Sequence, residues 1–197
     1  MEKAAGFFWE PAWQDWALDI GEPVALFFNW SYILTFMPIA IPTAIIVYVT
    51  NRERYRFYRN VVIITMAVAV LVFALFPLAP PRLLPETFVD TLDVFGPAFY
   101  TSRDDASYFN EFAAMPSVHY SWTLVFGVLF FTSGPRWLKI AGVAYPTLTL
   151  LAITVTGNHY IMDAVGGALL MLVAFGVAHA LRRFQANRIH GASPVAV

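Results

Sequence analysis

Residues 60–78 read NVVIITMAVAVLVFALFPL, an apolar run without a charged side chain. A transmembrane helix needs about 20 such residues to cross roughly 30 Å of hydrocarbon. Four more apolar stretches meet this requirement, and they place further spans at 29–50, 117–133, 140–156 and 160–181. The sequence therefore predicts an all-α integral membrane protein whose core is a bundle of five transmembrane helices.

The composition supports a membrane protein and excludes several other classes. Of the 197 residues, 59% are hydrophobic and only 13% are charged, about half the charged fraction of a soluble domain. A net charge of −1 argues against a nucleic-acid binder, and the absence of cysteine removes disulfides, thiol nucleophiles and Cys-ligated metals. We expect a single domain over 1–190 and a frayed tail over 191–197, and the sequence does not indicate an oligomeric state.

An aromatic segment over 7–20 precedes the first span. Trp9, Trp13, Trp16 and Ile20 recur at helical spacing, whereas the polar positions Glu10, Gln14, Asp15 and Asp19 fall elsewhere. This pattern predicts an amphipathic helix that lies in the membrane interface with its indoles at the level of the headgroups. The segment lacks the pattern of a secretory signal, because no basic region precedes a compact apolar one.

The distribution of basic residues predicts the orientation in the membrane. The segments 51–59, 134–139 and 182–188 hold nine basic residues and one acidic residue, whereas the rest of the chain holds three basic residues and 12 carboxylates. By the positive-inside rule, the N-terminus is outside and the C-terminus is cytoplasmic. We expect the plasma membrane of a bacterium as the location.

Two histidines lie at the outer ends of predicted spans. His119 follows Pro116-Ser117-Val118, and His159 comes one helical turn before Asp163. Asp163 can accept the Nδ1 proton of His159 and leave Nε2 as a nucleophile, while His119 acts as general acid and base. Ser117 is placed to cap a helix whose free N–H groups favour a bound phosphate.

The long connection 80–116 is predicted to be an external active-site loop, either a lid or a substrate platform. Its Arg82 can hold phosphate oxygens in a bidentate fashion, with Ser117, Arg103 and Asn158 as further candidates for the phosphate. The candidates for contact with a headgroup or acceptor are Asp104, Asp105, Asn110 and Tyr160.

Two other kinds of site fit part of this pattern. Haem ligands often bridge facing helices, so His119 and His159 could bind a haem, although that reading leaves Asp163 and Arg82 without a role. A metal site of His119, His159 and Asp163 is also geometrically possible, but the sequence offers no comparable fourth ligand.

These motifs resemble the membrane-integral type-2 phosphatidic acid phosphatase superfamily. Its signatures are Lys-x6-Arg-Pro, Pro-Ser-Gly-His and Ser-Arg-x5-His-x3-Asp. Here the second is Pro116-Ser117-Val118-His119, the third keeps His159-x3-Asp163, and the first is reduced to Arg82. The chain looks most similar to the branch that includes inositol phosphorylceramide synthases, where Met-Pro-Ser-x-His recurs.

The resemblance implies a lipid phosphatase or phosphotransferase that needs no metal or cofactor. His159 would form a phosphohistidine, His119 would protonate the leaving oxygen, and a lipid phosphate or phosphodiester would be the substrate. Two basic positions of the family are absent, since Ile153 stands at the expected Arg and Leu75 at the expected Lys. The N-terminal interfacial helix would take the place of the family's first span.

Overall fold

The computed structural model describes residue 6, residues 8–97 and residues 112–191, with side chains described through Arg188. The described chain is α-helical and contains no β-strand longer than an isolated bridge between Leu78 and Ala113. Its helices are α1 (Glu10–Ile20), α2 (Glu22–Leu34), α3 (Met37–Thr50), α4 (Arg52–Leu75), α5 (Thr91–Phe95), α6 (Val118–Phe131), α7 (Arg136–Val155) and α8 (Ile161–Gly191), and a 3₁₀ turn covers Pro81–Leu83. The predicted all-α membrane fold is confirmed.

Four helical segments of the described chain are long and apolar enough to span a bilayer. They are Glu22–Thr50, Arg52–Leu75, Arg136–Val155 and Ile161–Arg188. The fifth apolar helix, α6, has 14 residues, fewer than a full span requires. Many of its side chains are buried, including those of Val125, Phe126 and Leu129, so α6 lies inside the bundle.

The first span is two helices and starts earlier than the predicted 29–50. α2 begins at Glu22, and the helix stops at Thr35 and Phe36 before α3 resumes at Met37. Phe36 has φ −105° and ψ −108°, outside the helical region. Pro38 explains the break, because proline has no N–H to donate to the carbonyl of Leu34 and its ring clashes with that carbonyl.

The other helix bounds differ from the predicted ones mainly at the ends. α4 starts at Arg52 instead of 60, because Asn51 caps the basic segment and accepts a hydrogen bond from the N–H of Arg54 at 2.9 Å. α6 and α7 lie close to the predicted 117–133 and 140–156. α8 continues past 181 to Gly191, and residues 192–197 of the predicted tail lie outside the described chain.

Glycines allow α6 to approach both of its neighbours closely. A Cβ on Gly127 would lie 2.8 Å from the carbonyl oxygen of Gly142, and one on Gly142 would lie 2.6 Å from that of Gly127. At the other end of α6, a Cβ on Gly167 of α8 would meet the carbonyl oxygen of Ser117 at 2.5 Å. Such small-residue contacts are typical of membrane helix packing, and here they fix the helix that carries His119.

The basic segments meet at the end of the bundle opposite to His119 and His159. Arg54 donates hydrogen bonds to the carbonyl oxygen of Leu129 at 3.3 Å and to the hydroxyl of Thr132, both in the last turn of α6 or just after it. Arg182 of α8 forms an ion pair with Glu53 of α4. Basic residues of α4 and α8 therefore lie at one end of the bundle, beside the end of α6.

Helix α1 turns part of its polar face toward the protein. Glu10 is 0% exposed and Gln14 is 1% exposed, whereas Trp9 and Trp16 are more than half exposed. The sequence pattern of this segment assigns no protein contact to Glu10 and Gln14, yet both face the protein. The reason is that both side chains bind backbone groups of the loops around the two histidines.

Candidate active site

The tight turn between α7 and α8 presents His159. Gly157 has φ +70°, the left-handed conformation with which glycine commonly ends a helix. The N–H groups of Asn158 and His159 then both donate to the carbonyl oxygen of Ile153, at 3.1 and 3.0 Å. Backbone hydrogen bonds therefore close the turn, and its geometry fixes the backbone position from which the His159 side chain projects.

A backbone carbonyl holds the imidazole of His159. Nδ1 lies 2.9 Å from the oxygen of Ala114, which can only accept, so Nδ1 carries the proton and Nε2 is the basic nitrogen. The carboxylate of Asp163 lies 3.5 Å from Nδ1 and accepts a hydrogen bond from the N–H of Tyr160 at 2.8 Å. Asp163 is thus near His159, as the spacing predicts, but the shorter contact of Nδ1 is with Ala114.

His119 is buried at the start of α6, and Ser117 caps this helix. The Ser117 hydroxyl accepts a hydrogen bond from the N–H of Tyr120 at 3.2 Å. The imidazole of His119 stacks against Tyr32 and Phe36, with ring centroids 4.6 and 4.5 Å away. Its Nε2 lies 3.4 Å from the hydroxyl of Thr35.

The starts of α6 and α8 are joined directly. The N–H of Ser117 donates to the carbonyl oxygen of Asp163 at 3.0 Å. His119 and His159 are each 8% exposed, and the two imidazoles are near enough to interact electrostatically. The structure therefore brings together the two histidines, Asp163 and Ser117, although 40 residues separate the histidines in the chain.

Arg82 lies beside the turn that carries His159. Its backbone N–H donates to the carbonyl oxygen of Gly157 at 2.8 Å, and its Nη1 donates to Oδ1 of Asn158 at 2.7 Å. The predicted phosphate ligands Arg82 and Asn158 thus contact each other next to His159. Asn158 in turn donates to the hydroxyl of Thr156 at 2.8 Å, so its amide orientation is set on both sides.

Asp90 is a second partner of Arg82. Its Oδ2 lies 3.7 Å from the Nε of Arg82, and its other oxygen accepts a hydrogen bond from the N–H of Asp93 at the start of α5. Burial raises the pKa of the Asp90 carboxyl above its ordinary value, and this effect outweighs the opposing influence of Arg82. The guanidinium is therefore shared between an amide and a carboxyl group that is costly to ionise.

The described part of the external loop, up to residue 97, is tied to the bundle as a platform. Gln14 donates to the carbonyl oxygens of Val89 and Val155 at 2.9 and 2.8 Å, and it accepts from the N–H of Val89 at 2.8 Å. Further along, Asn29 and Thr91 are fully buried and exchange two hydrogen bonds of 2.7 Å. Four elements are thus fixed relative to one another around the site.

Two carboxylates cap the helix that follows His159. Asp163 accepts from the N–H of Tyr160, and Glu10 of α1 accepts from the N–H of Ile161 at 2.8 Å. The positive end of the helix dipole favours both. Tyr160, predicted to contact a headgroup, is partly exposed here, with its ring edge-on to Phe88 at 6.1 Å.

Other predicted site residues are not placed. Arg103, Asp104, Asp105 and Asn110 lie outside the described residues. Among residues 8–97 and 112–188, no group of three or more His, Asp and Glu side chains could hold a metal ion. The alternative metal site of His119, His159 and Asp163 therefore has no support from the described side chains.

The sequence interpretation missed several residues that contact the histidines or the backbone near them. Thr35, Tyr32 and Phe36 surround His119, and the only signal for them is Pro38, which predicts a break nearby. The signal for Glu10 and Gln14 is their i, i+4 spacing, which places two polar side chains on one helix face. No residue type at position 114 would reveal the role of its carbonyl group.

Comparison with known proteins gives a family and a fold. The family model of the PAP2 superfamily matches residues 1–177. The chain is similar to the crystal structure of LpxE from Aquifex aeolicus, with a TM-score of 0.61 and 14% sequence identity over 78% of this chain and 84% of that one. At this identity the likeness concerns the fold alone, and no curated protein matches the chain. The family match supports a membrane lipid phosphatase, the structural match supports the fold alone, and neither supports the haem alternative.

Proposed function

Because the chain belongs to the PAP2 superfamily, we propose that it hydrolyses a membrane lipid phosphate through a phosphohistidine intermediate on His159. The observation that carries this proposal is the contact of His159 Nδ1 with the carbonyl oxygen of Ala114 at 2.9 Å. It keeps the proton on Nδ1 and leaves the lone pair on Nε2, the tautomer that a nucleophilic imidazole needs.

In the first step, the Nε2 of His159 bonds to phosphorus and the bond between phosphorus and the lipid oxygen breaks. His119 gives its proton to that oxygen, so the lipid leaves as a neutral alcohol. The imidazole of His159 gains positive charge as the P–N bond forms, and the Asp163 carboxylate 3.5 Å from Nδ1 stabilises that charge.

In the second step, His119 takes a proton from water, and the water oxygen bonds to phosphorus as the P–N bond breaks. Inorganic phosphate leaves, and His159 and His119 return to their initial states. A hydroxyl group in place of water would give transfer instead of hydrolysis, with the same first step. All the groups in this mechanism belong to the protein, and no metal ion takes part.

Charge on the phosphoryl oxygens needs donors near His159. Arg82 supplies a guanidinium beside the turn, where Asn158 holds it at 2.7 Å. The hydroxyl of Ser117 and the first N–H groups of α6 supply neutral donors at the start of a 14-residue helix. Ile153, which is fully buried, and Leu75, which is exposed, have aliphatic side chains, so neither position supplies a cation.

The proposed reaction takes place at the extracytoplasmic face. The histidines lie at the end of the bundle opposite to the basic segments, and the positive-inside rule places those segments in the cytoplasm. We further propose the narrower likeness to the inositol phosphorylceramide synthase branch as a guide to substrates, so both lipid phosphates and phosphodiesters are to be tested.

Phosphate release by purified protein in detergent tests the proposed function. We expect release from at least one long-chain lipid phosphate, and losses of about 10³-fold or more in the His159→Ala and His119→Ala variants. His179→Ala is the matched control, because this exposed histidine lies on α8 near the basic end, with its ring against Phe57. Activity that survives in His159→Ala would overturn the proposal.

A further inference from the structure

The break in the first span places non-helical backbone inside an apolar segment. Such backbone is costly in a membrane unless protein groups satisfy it. Here the hydroxyl of Tyr145 on α7 donates to the carbonyl oxygen of Thr35, and the N–H of Thr35 donates to that of Ser31 at 2.9 Å. Thr35 is 4% exposed. The break is therefore held in one conformation by the neighbouring helix.

Three side chains at or just before this break contact the imidazole of His119. Tyr32 and Phe36 stack against the ring at interplanar angles of 31° and 25°. Thr35, between them, lies with its hydroxyl oxygen 3.4 Å from Nε2. Residues 32, 35 and 36 have i, i+3 and i+4 spacing, so the end of α2 presents all three on one side, toward His119.

From this geometry we propose that Thr35 is a positioning residue that holds the Nε2–H of His119, so that Nδ1 is the nitrogen that exchanges the proton. The inference rests on the proposed function, in which His119 is the general acid and base. It assigns to the end of α2, where the first span breaks, a role in catalysis.

The hydrogen bonds around Thr35 indicate which atom donates. The Thr35 hydroxyl can donate to the carbonyl oxygen of Tyr32 at 3.5 Å, which leaves a lone pair toward His119. With the Nε2–H of His119 donated to that lone pair, the neutral imidazole carries its basic lone pair on Nδ1, which has no hydrogen-bond partner among the described residues. Protonation of Nδ1 gives the acid, and its loss gives the base, while the contact with Thr35 persists.

The proton transfers balance with this assignment. When the bond between phosphorus and the lipid oxygen breaks, that oxygen takes the proton from the Nδ1 of His119. When water attacks the phosphohistidine, its proton goes to the same Nδ1. The Nε2–H remains hydrogen-bonded to the Thr35 hydroxyl in both steps, so the imidazole ring need not rotate between them.

The test uses the leaving group to separate acid catalysis from a general structural effect. A long-chain alkyl phosphate needs a proton on its leaving oxygen, whereas a 4-nitrophenyl phosphate does not. We expect Thr35→Val, which keeps the shape of the side chain, to slow the first step about 10-fold or more for the alkyl ester and much less for the nitrophenyl ester, measured as release of the leaving alcohol or nitrophenol in a single turnover. Thr35→Ser restores the hydroxyl and should recover most of the rate.

The His119→Ala variant makes the outcomes distinguishable. If His119→Ala spares the single-turnover release of nitrophenol but Thr35→Val slows the first step equally for both esters, the positioning role is wrong and the proposed function stands. If His119→Ala slows the first step equally for both esters, the assigned role of His119 as general acid in the proposed function is wrong. Thermal unfolding of each variant shows whether it is folded. If Thr35→Val does not fold, the test rests on Thr35→Ser, which keeps the hydroxyl. A full loss of activity in Thr35→Ser would also overturn the inference.

Discussion

The Nδ1 of His159 and the carbonyl oxygen of Ala114 are 2.9 Å apart, although 45 residues separate them in the chain. This contact fixes the imidazole tautomer with a group that cannot be protonated or removed by a side-chain substitution. It also ties His159 to the segment that leads into α6 and His119. The Asp163 carboxylate, 3.5 Å from the same nitrogen, is then free to act mainly through its charge.

Asp163→Asn should therefore slow formation of the phosphohistidine without changing the tautomer of His159. The asparagine oxygen can still accept from the N–H of Tyr160, but the charge that stabilises the phosphorylated imidazole is lost. We expect a decrease of about 10–10²-fold, the effect of one hydrogen bond to a charged group. Acid-labile, alkali-stable label on the protein, quenched during turnover, measures this rate. A loss of 10⁴-fold would show that Asp163, not Ala114, controls the tautomer.

The sequence predicts the membrane helices well because the bilayer imposes one simple requirement on them. Each span must present apolar side chains over its whole length, and a run such as 60–78 shows this without any knowledge of packing. The relation of His159 to Asp163 is also local, since i and i+4 positions share a helix face. Both features depend only on neighbouring residues.

The environment of the histidines depends instead on distant residues. Thr35 reaches His119 across 84 positions, and the contact exists only because the end of α2 packs beside the start of α6. Gln14 lies 141 residues from Val155. A polar residue on an aromatic helix is more often solvated than buried, so the sequence alone favours a solvent-facing position for Gln14. The packed fold decides between these two readings.

Gln14→Leu should destabilise the protein and lower its activity. The substitution keeps the volume but leaves the N–H of Val89 and the carbonyl oxygens of Val89 and Val155 without their partner. We expect a loss of about 2–4 kcal/mol in the free energy of unfolding, because buried unsatisfied groups cost about 1–3 kcal/mol each. Unfolding in detergent, followed by tryptophan fluorescence, measures the change. Asp15→Asn, an exposed neighbour on the same helix, is the control and should have little effect.

Single cysteines should report the orientation of the chain, which has none of its own. Thr87 and Gln185 are both exposed and uncharged, and they lie at opposite ends of the bundle. We expect Thr87→Cys to react with a membrane-impermeant maleimide in intact cells, and Gln185→Cys to react only after permeabilisation. Gly134 is less suitable, since its φ of +131° strains any other residue. The reverse labelling pattern would place the histidines at the cytoplasmic face.

Asp90→Asn should strengthen anion binding and remove a pH dependence of stability. Without the carboxylate, the Nε of Arg82 is no longer shared, so we expect vanadate, a mimic of pentacoordinate phosphorus, to inhibit about 3–10-fold more strongly near neutral pH. The pKa of Asp90 is raised above 3.8 by burial, so its contribution to stability is greatest below about pH 3.8 and is lost as the pH rises through the raised value. The melting temperature of the unsubstituted protein should therefore fall relative to that of Asp90→Asn as the pH rises from 4 to 7. If the melting temperatures of the two proteins change with pH in the same way and vanadate inhibits both equally, Asp90 does not compete for Arg82.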